Sequence, residues 1–313
     1  MSSFLFVNQA YRPDPVATAQ LLDDLCHALA GRGHEVMVIA GDRGYDAPAE
    51  RYTHRQRSGG IDVRRIPYVS LGKGGRMRRA VSFASFHARL FPALLSLPAA
   101  DVVVALTSPP LLGATVAAAA RLKRTKLVQW VMDLNPDEAI AAGWLREGGF
   151  LERVLRDSAR SSYARSERVV ALDTDMKARI TERYGVSAER IEVIPPWDPG
   201  GLAEDAAGAD HFRRTQGLAG KYVVMYSGNH SPCHPLGTLL DAALRLADRR
   251  DIVFCFIGGV RRGGSRAFCP RAHFGQYPAV AVPTDRELIR VFVGGRPACG
   301  GDGNILCGDR ASE

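Results

Sequence analysis

Three carboxylates, Asp133, Asp137 and Glu138, stand in the loop Asp133-Leu134-Asn135-Pro136-Asp137-Glu138, directly after the apolar run LVQWVM. In α/β sheets the loops beyond the carboxyl ends of the strands hold the catalytic groups. Two of these carboxylates also have an ordinary explanation: Asp137 as a helix cap and Glu138 as a first-turn partner of the helix dipole. Asp133 comes before any helix can start, so capping does not account for it, and it is the candidate catalytic residue. Glycine turns mark a second place for chemistry. The run Tyr222–Tyr226 ends at Ser227-Gly228-Asn229, and Ile252–Ile257 is stopped by Gly258-Gly259. Glycine there lets backbone approach a ligand, and free N–H groups at a helix start favour an anion. Gly228, Asn229, Gly258 and Gly259 are therefore candidate nucleotide-binding positions.

A third stretch is basic. Ser70–Arg79 reads SLGKGGRMRR and leads into a helix carrying Phe83, Phe86, Leu90, Phe91, Leu94 and Leu95. One reading is a core helix with a solvated basic entry. The other is a membrane-facing element, with Arg76, Arg78 and Arg79 against anionic lipid and Phe83 and Phe86 in the interface. The loop is not a phosphate-binding P-loop, because GxxxxGK[ST] is missing.

The elements that must position these groups follow from the periodicity. Phe4–Val7 is a buried-type strand, and Asn8–Pro15 leads to a helix from about Val16 to Ala30, closed by Gly31-Arg32-Gly33. His34–Ala40 is the next strand, which makes one βαβ unit without GxGxxG in its loop. Ile61–Tyr68, Asp101–Leu106, Leu127–Met132, Arg168–Leu172 and Glu192–Ile194 read as further strands. Helices fall at Ala80–Leu97, Leu111–Leu122, Phe150–Arg165 and Met176–Tyr184, the last capped by Asp173 or Thr174. Gly41–Gly60 is polar and turn-rich. Pro195-Pro196-Trp197 closes this part of the chain, and Gly200–Gly220 reads as a linker with a short helix. The two apolar strands around the helix of Leu239, Leu240, Ala243, Leu244 and Ala247 then imply a second parallel sheet covered on both faces.

The chain has 313 residues, 46% of them hydrophobic, which is ample for a core and suggests two domains. Its net charge of +8 suits an acidic small-molecule substrate or an anionic membrane surface. Nucleic acid is not expected, since no basic stripe carries interleaved aromatics. The six cysteines show no CxxC, and the expectation is a reduced cytoplasmic protein. His230, Cys233 and His234 do not reach tetrahedral zinc coordination by themselves, so no metal is expected. A signal peptide is not expected, since no basic region stands before FLFV and polar Asn8-Gln9 follow it, and the longest apolar stretch, Leu111–Leu122, is too short to span a bilayer.

Taken in order, the GHEVMVIA strand, the TSPP turn, the WVMDLNPDEA loop, the VIPPW exit and MYSGNHSPCHPL resemble a retaining GT-B-fold glycosyltransferase. The nearest group is the family 4 enzymes that build capsular, O-antigen or exopolysaccharide repeats. The likeness runs over about residues 4–259. It implies an α/β fold of GT-B type, with two Rossmann-like doubly wound parallel-sheet domains. It places an acceptor-binding domain at residues 1–199, a linker at 200–220 and the start of a nucleotide-sugar domain at 221–259. It implies a nucleotide sugar as donor, a lipid-linked or saccharide acceptor, no cofactor, and work in the cytoplasm or peripherally on the inner membrane face. By position, Asp133 lies where the family puts a polar group beside the reacting sugar. Arg12, Asp14 and Thr18 match the acceptor-side first loop, while His230 and Ser231 follow the glycine turn as phosphate or ribose neighbours.

Beyond Gly259 the pattern changes. Residues 260–313 hold three of the six cysteines, no lysine and repeated Gly-Gly and Arg-Gly pairs, and only Asp285–Val293 reads as a short helix or strand. The paired glutamates that the family uses on the donor have no counterpart there; Glu287 and Glu313 stand far apart. The expectation is an incomplete second domain and an atypical tail, from a slip in the coding frame near Gly259. Two further readings accompany the transferase: a non-catalytic remnant that keeps acceptor binding, and a nucleotide-sugar 2-epimerase on the same fold.

Overall fold

The fold is known from a computed structural model of the chain. It describes residues 1–45, 47–71, 75–198, 205–227 and 236–257, together with the backbone of two strands, Ala279–Thr284 and Glu287–Val293. The chain divides into two units, Met1–Gly201 and Leu202–Glu313.

The first unit is built on one eight-stranded sheet. Its strands are β1 (Ser3–Val7), β2 (Glu35–Gly41), β3 (Arg55–Ser58), β4 (Ile61–Ile66), β5 (Val102–Ala105), β6 (Lys126–Trp130), β7 (Arg168–Ala171) and β8 (Ile191–Val193). They lie in the order β3-β4-β2-β1-β5-β6-β7-β8. All neighbours run parallel except β3 and β4, which form an antiparallel hairpin. The turn of that hairpin is Gly59-Gly60, both at positive φ, the conformation for which glycine carries no steric cost. Chain order reverses between β1 and β5, so the switch point of the sheet lies between their carboxyl ends.

Alternation along the strands decides which helix covers which face. Phe6, Val36, Val38, Ile61 and Val63 point one way, against Leu21, Leu22 and Cys26 of α1 (Ala17–Gly31). Val7, Ile39, Ile66, Val103 and Leu127 point the other way, against α2 (Arg76–Ser96) and α3 (Leu112–Lys123). On that second face a further cluster, Val131, Val169, Ala171 and Ile191, packs on Tyr163 of α5 (Phe150–Ala164) and on Ile180 and Tyr184 of α6 (Thr174–Tyr184). Between β6 and α5 lies one short helix, α4 (Asp137–Ala141).

Local chemistry ends these helices where the sequence says it should. Gly33 at φ +82° follows α1, and the Asp173 carboxylate accepts the Met176 N–H at 2.6 Å to cap α6. Asp137 departs from the reading as a cap. It sits inside α4, and its carboxylate takes Arg183 at 2.7 Å and the Tyr184 hydroxyl at 2.5 Å. The pair ties α4 to α6; burial and the Asp137 carboxylate together hold the Tyr184 phenol well above its usual range.

In the second unit β9 (Tyr222–Ser227) and β10 (Ile252–Ile257) are parallel and joined through α8 (Gly237–Arg245). The short helix of the stretch read as a linker is α7 (Ala206–Thr215), and Phe212 and Leu218 pack with Val253 and Cys255 in the second unit's core. Phe254 and Phe256 pack on the other face, against Leu239, Leu240 and Ala243. Beyond them β12 (Glu287–Val293) pairs antiparallel with β10, and β11 (Ala279–Thr284) pairs antiparallel with β12, giving the order β11-β12-β10-β9. A short helix or strand was expected within Asp285–Val293, and it is a strand; the strand at Ala279–Thr284 was not expected.

Candidate active site in the first unit

The carboxyl ends of β1, β2, β4 and β5 are laced together by one glutamine. Gln9 follows β1, and its N–H donates to the Ser108 carbonyl at 2.9 Å, while its own carbonyl accepts the Gly41 N–H at 2.9 Å. Its side-chain amide donates to the Tyr68 hydroxyl at 3.1 Å. Gly41 has to be glycine, because an added Cβ would lie 2.7 Å from the Tyr68 ring. Gln9 is buried; these bonds replace the water it has lost. Nothing in its immediate sequence marks it out, since a polar residue after a strand reads as the start of a loop.

Asp133 stands beside this floor. Its backbone N–H donates to the Thr107 hydroxyl at 3.2 Å, and that hydroxyl donates to the Asp133 carboxylate at 3.4 Å. Thr107 follows β5 and Asp133 follows β6, so the bond joins two strands next to the switch point. Both residues line a hollow of about 50 Å³ together with Leu111, Asn135, Leu155, Ser158 and Ser162. Leu111 sits at the mouth of α3 with φ +71°, a left-handed conformation that a leucine rarely takes. His87 fixes the same loop from below. Its Nε2 meets the Pro110 carbonyl at 2.9 Å, and its Nδ1 meets the Thr115 hydroxyl at 2.9 Å. A carbonyl can only accept, so Nε2 carries the hydrogen and Thr115 donates to Nδ1.

The first-loop residues divide. Arg12 is exposed and its guanidinium lies 3.6 Å from Asp23 of α1. Thr18 is half-buried in the first turn of α1, a helix with no side-chain cap at its start, which leaves a field suited to an anion or a hydroxyl oxygen. Asp14 is 2% exposed. Its carboxylate accepts the Tyr45 N–H at 2.9 Å and the Tyr52 hydroxyl at 3.1 Å, so it holds the loop after β2 in place instead of presenting itself to a ligand. Arg65 is buried beside it, stacked 4.7 Å from the Tyr52 ring and bonded to the carbonyls of Gly41 and Arg12. Burial lowers its pKa, and Asp14 opposes that shift.

The membrane-facing reading of α2 needs one correction. Phe86 is 0% exposed and packs edge-on to Tyr68 at 5.4 Å, inside the core between α2 and the sheet. Phe83 is half-buried, and Arg78 is exposed. Arg76 opens the helix. Arg79 lies 5.8 Å over the ring of Trp144. Gly228, Asn229, His230, Ser231, Gly258 and Gly259 lie outside the described residues, as do Cys233 and His234. Among the described residues no three His, Cys, Asp or Glu side chains converge as a metal site, and no helix is long and apolar enough to cross a membrane.

The family profile described as "Glycosyl transferase 4-like domain" matches residues 18–197. The chain belongs to the glycosyl transferase 4-like family. The matched stretch runs from Thr18 through the Thr107–Asp133 pair to Trp197, which is nearly all of the first unit. Solved structures show the same GT-B fold. Anabaena Alr3699/HepE, in complex with UDP and glucose, superposes with a TM-score of 0.53 at 16% identity, over 81% of this chain and 60% of that one. The catalytic domain of starch synthase IV from Arabidopsis thaliana, bound to ADP and acarbose, gives 0.54 at 12% identity, over 81% and 67%. Arabidopsis thaliana UGT89C1 with UDP-L-rhamnose gives 0.50 at 15%, over 87% and 68%. This family member therefore spans about three fifths of the length of HepE. A comparison with curated proteins gives no match.

Proposed function

We propose that the chain acts in glycosyl transfer, moving a sugar with retention from a nucleotide-sugar donor to a saccharide or lipid-linked acceptor in the building of a cell-surface polysaccharide. The observation that carries the reading is Asp133, pinned by Thr107 at the carboxyl end of β6, next to the switch point of a sheet in this family. In this reading the acceptor hydroxyl lies against Asp133, with Thr18 and Arg12 at the edge of its site. Asp14 serves the site through the loop it anchors. A leaving nucleoside diphosphate develops negative charge, which must be met by N–H groups and cations. Gly228, Asn229, His230, Ser231, Gly258 and Gly259 are assigned that task. HepE with UDP and glucose, and starch synthase IV with ADP, support a nucleotide partner for the second unit. The chemistry needs neither metal nor cofactor. Arg76, Arg78, Arg79 and Phe83 supply contact with an anionic membrane on its cytoplasmic face.

Thermal unfolding in the presence of UDP, GDP, ADP and their sugars tests the donor side. Binding at a hundred times the dissociation constant adds about 2.7 kcal/mol and raises the midpoint. A midpoint unmoved by every nucleotide would leave a protein that binds acceptor only.

A further inference from the structure

The corner between α4 and α5 is apolar and open. Phe150 is 84% exposed, Leu151 57%, Val154 43% and Trp144 40%. Four large apolar side chains along one loop and the helix it enters are more than scattered surface residues. The helix explains how they relate to the site. Leu151, Leu155, Ser158 and Ser162 follow one another at steps of four, three and four, which is one stripe on α5. Leu155, Ser158 and Ser162 line the hollow that holds Asp133. Leu151 therefore continues the wall of that hollow outward, with Phe150 and Val154, four residues apart, together on one flank of the stripe.

The charge around this corner has one sign to spare. Arg146 and Arg153 are exposed, and Arg79 reaches over Trp144 from the start of α2. Of the three carboxylates on this segment, Glu152 pairs with Arg156 at 2.5 Å and Glu147 lies 3.8 Å from Arg183. Asp157 is the third and is exposed. We infer that this corner is a membrane-contact surface, on which Trp144, Phe150, Leu151 and Val154 enter the interface of an anionic bilayer while Arg79, Arg146 and Arg153 meet lipid phosphates. A tryptophan between apolar neighbours and guanidinium groups suits a boundary that is oily on one side and wet on the other. The inference rests on the membrane part of the reading above and moves the apolar contact from α2, where Phe86 is buried, to α5. It also gives an acceptor with a hydrocarbon tail a direct way in, because the corner and the hollow share a wall.

The test uses the purified full chain and vesicles of phosphatidylcholine with or without phosphatidylglycerol. The wild type is expected to partition onto the anionic vesicles, and the Phe150→Ser/Leu151→Ser variant about tenfold more weakly. Spin-labelled lipid in the same vesicles should quench tryptophan fluorescence of the wild type, and Trp144→Phe should remove that quenching; this readout does not depend on the double variant folding. Equal partition of the wild type and the double variant, with no quenching at Trp144, would overturn the corner and leave the α2 contact standing. A wild type that binds neither vesicle would overturn both. Light scattering that shows a dimer dispersed by the double variant would also overturn the proposal, by giving the corner to a second copy of the chain.

Discussion

The Thr107 hydroxyl lies between the two halves of Asp133, 3.2 Å from its backbone nitrogen and 3.4 Å from its carboxylate. One hydroxyl accepts from the first and donates to the second, so it fixes both the turn of the chain after β6 and the direction of the carboxylate. Under the proposed reaction, Thr107→Val should lower the turnover number about tenfold, and Thr107→Ser should restore most of it. Asp133→Asn should lower it a hundredfold or more, the ordinary range for loss of a group that handles a proton. Steady-state transfer at saturating donor measures all three. Full activity of Asp133→Asn would end its candidacy.

Phe86 and Phe83 lie one helical turn apart on α2 and should behave differently. Phe86→Ala empties a fully enclosed position against Tyr68 and should cost about 3–5 kcal/mol. Phe83→Ala, at a half-buried position, should cost markedly less. Urea unfolding of the two variants, with the slope unchanged, distinguishes a core phenylalanine from a surface one.

Acid should loosen the loop after β5. Burial holds the His87 imidazole below its ordinary pKa, against the opposing pull of the Pro110 carbonyl. The unfolded chain therefore takes up a proton at a higher pH than the folded one. Between the two values the unfolded state carries more protons, so stability is full above about pH 6.5 and falls as the pH drops below it. Melting curves at pH 7.5 and 5.5 should show a larger acid loss for the wild type than for His87→Gln. Equal losses would mean that His87 does not carry the effect.

Much of the first unit was legible because its strands are continuous apolar runs and its helices repeat at three and four residues. Phe86, Leu90 and Leu94 form such a stripe, and it is the stripe that faces the sheet. β3 was not legible: RQRS has no apolar alternation, and it pairs because the Gly59-Gly60 turn folds it back on β4. Of the candidate site, Asp133 stood out in the sequence because it comes before any helix start that could use it as a cap. Its clamp, Thr107, lies in a distant segment, and only the strand order brings the two together. Asp14 was matched to the acceptor-side loop by resemblance; that its carboxylate is buried, taken by the Tyr45 N–H and the Tyr52 hydroxyl, depends on how the loop after β2 folds and is not written in its own neighbourhood. The short helix expected in the Gly200–Gly220 linker is α7; its packing into the second unit was not legible, because the residue that anchors its end, Leu218, stands alone in sequence.

The margins of the large sheet have a consequence of their own. At one side lies β3, whose four residues are all exposed, with Arg55 held 2.8 Å from Asp62 and Arg57 3.7 Å from it. At the other lies β8, three residues long. A row of guanidinium groups and a stub give an incoming strand little to zip onto. Crowded copies of this lobe therefore have no easy route to ribbon-like stacking, although its interior strands are as oily as those of many fibres.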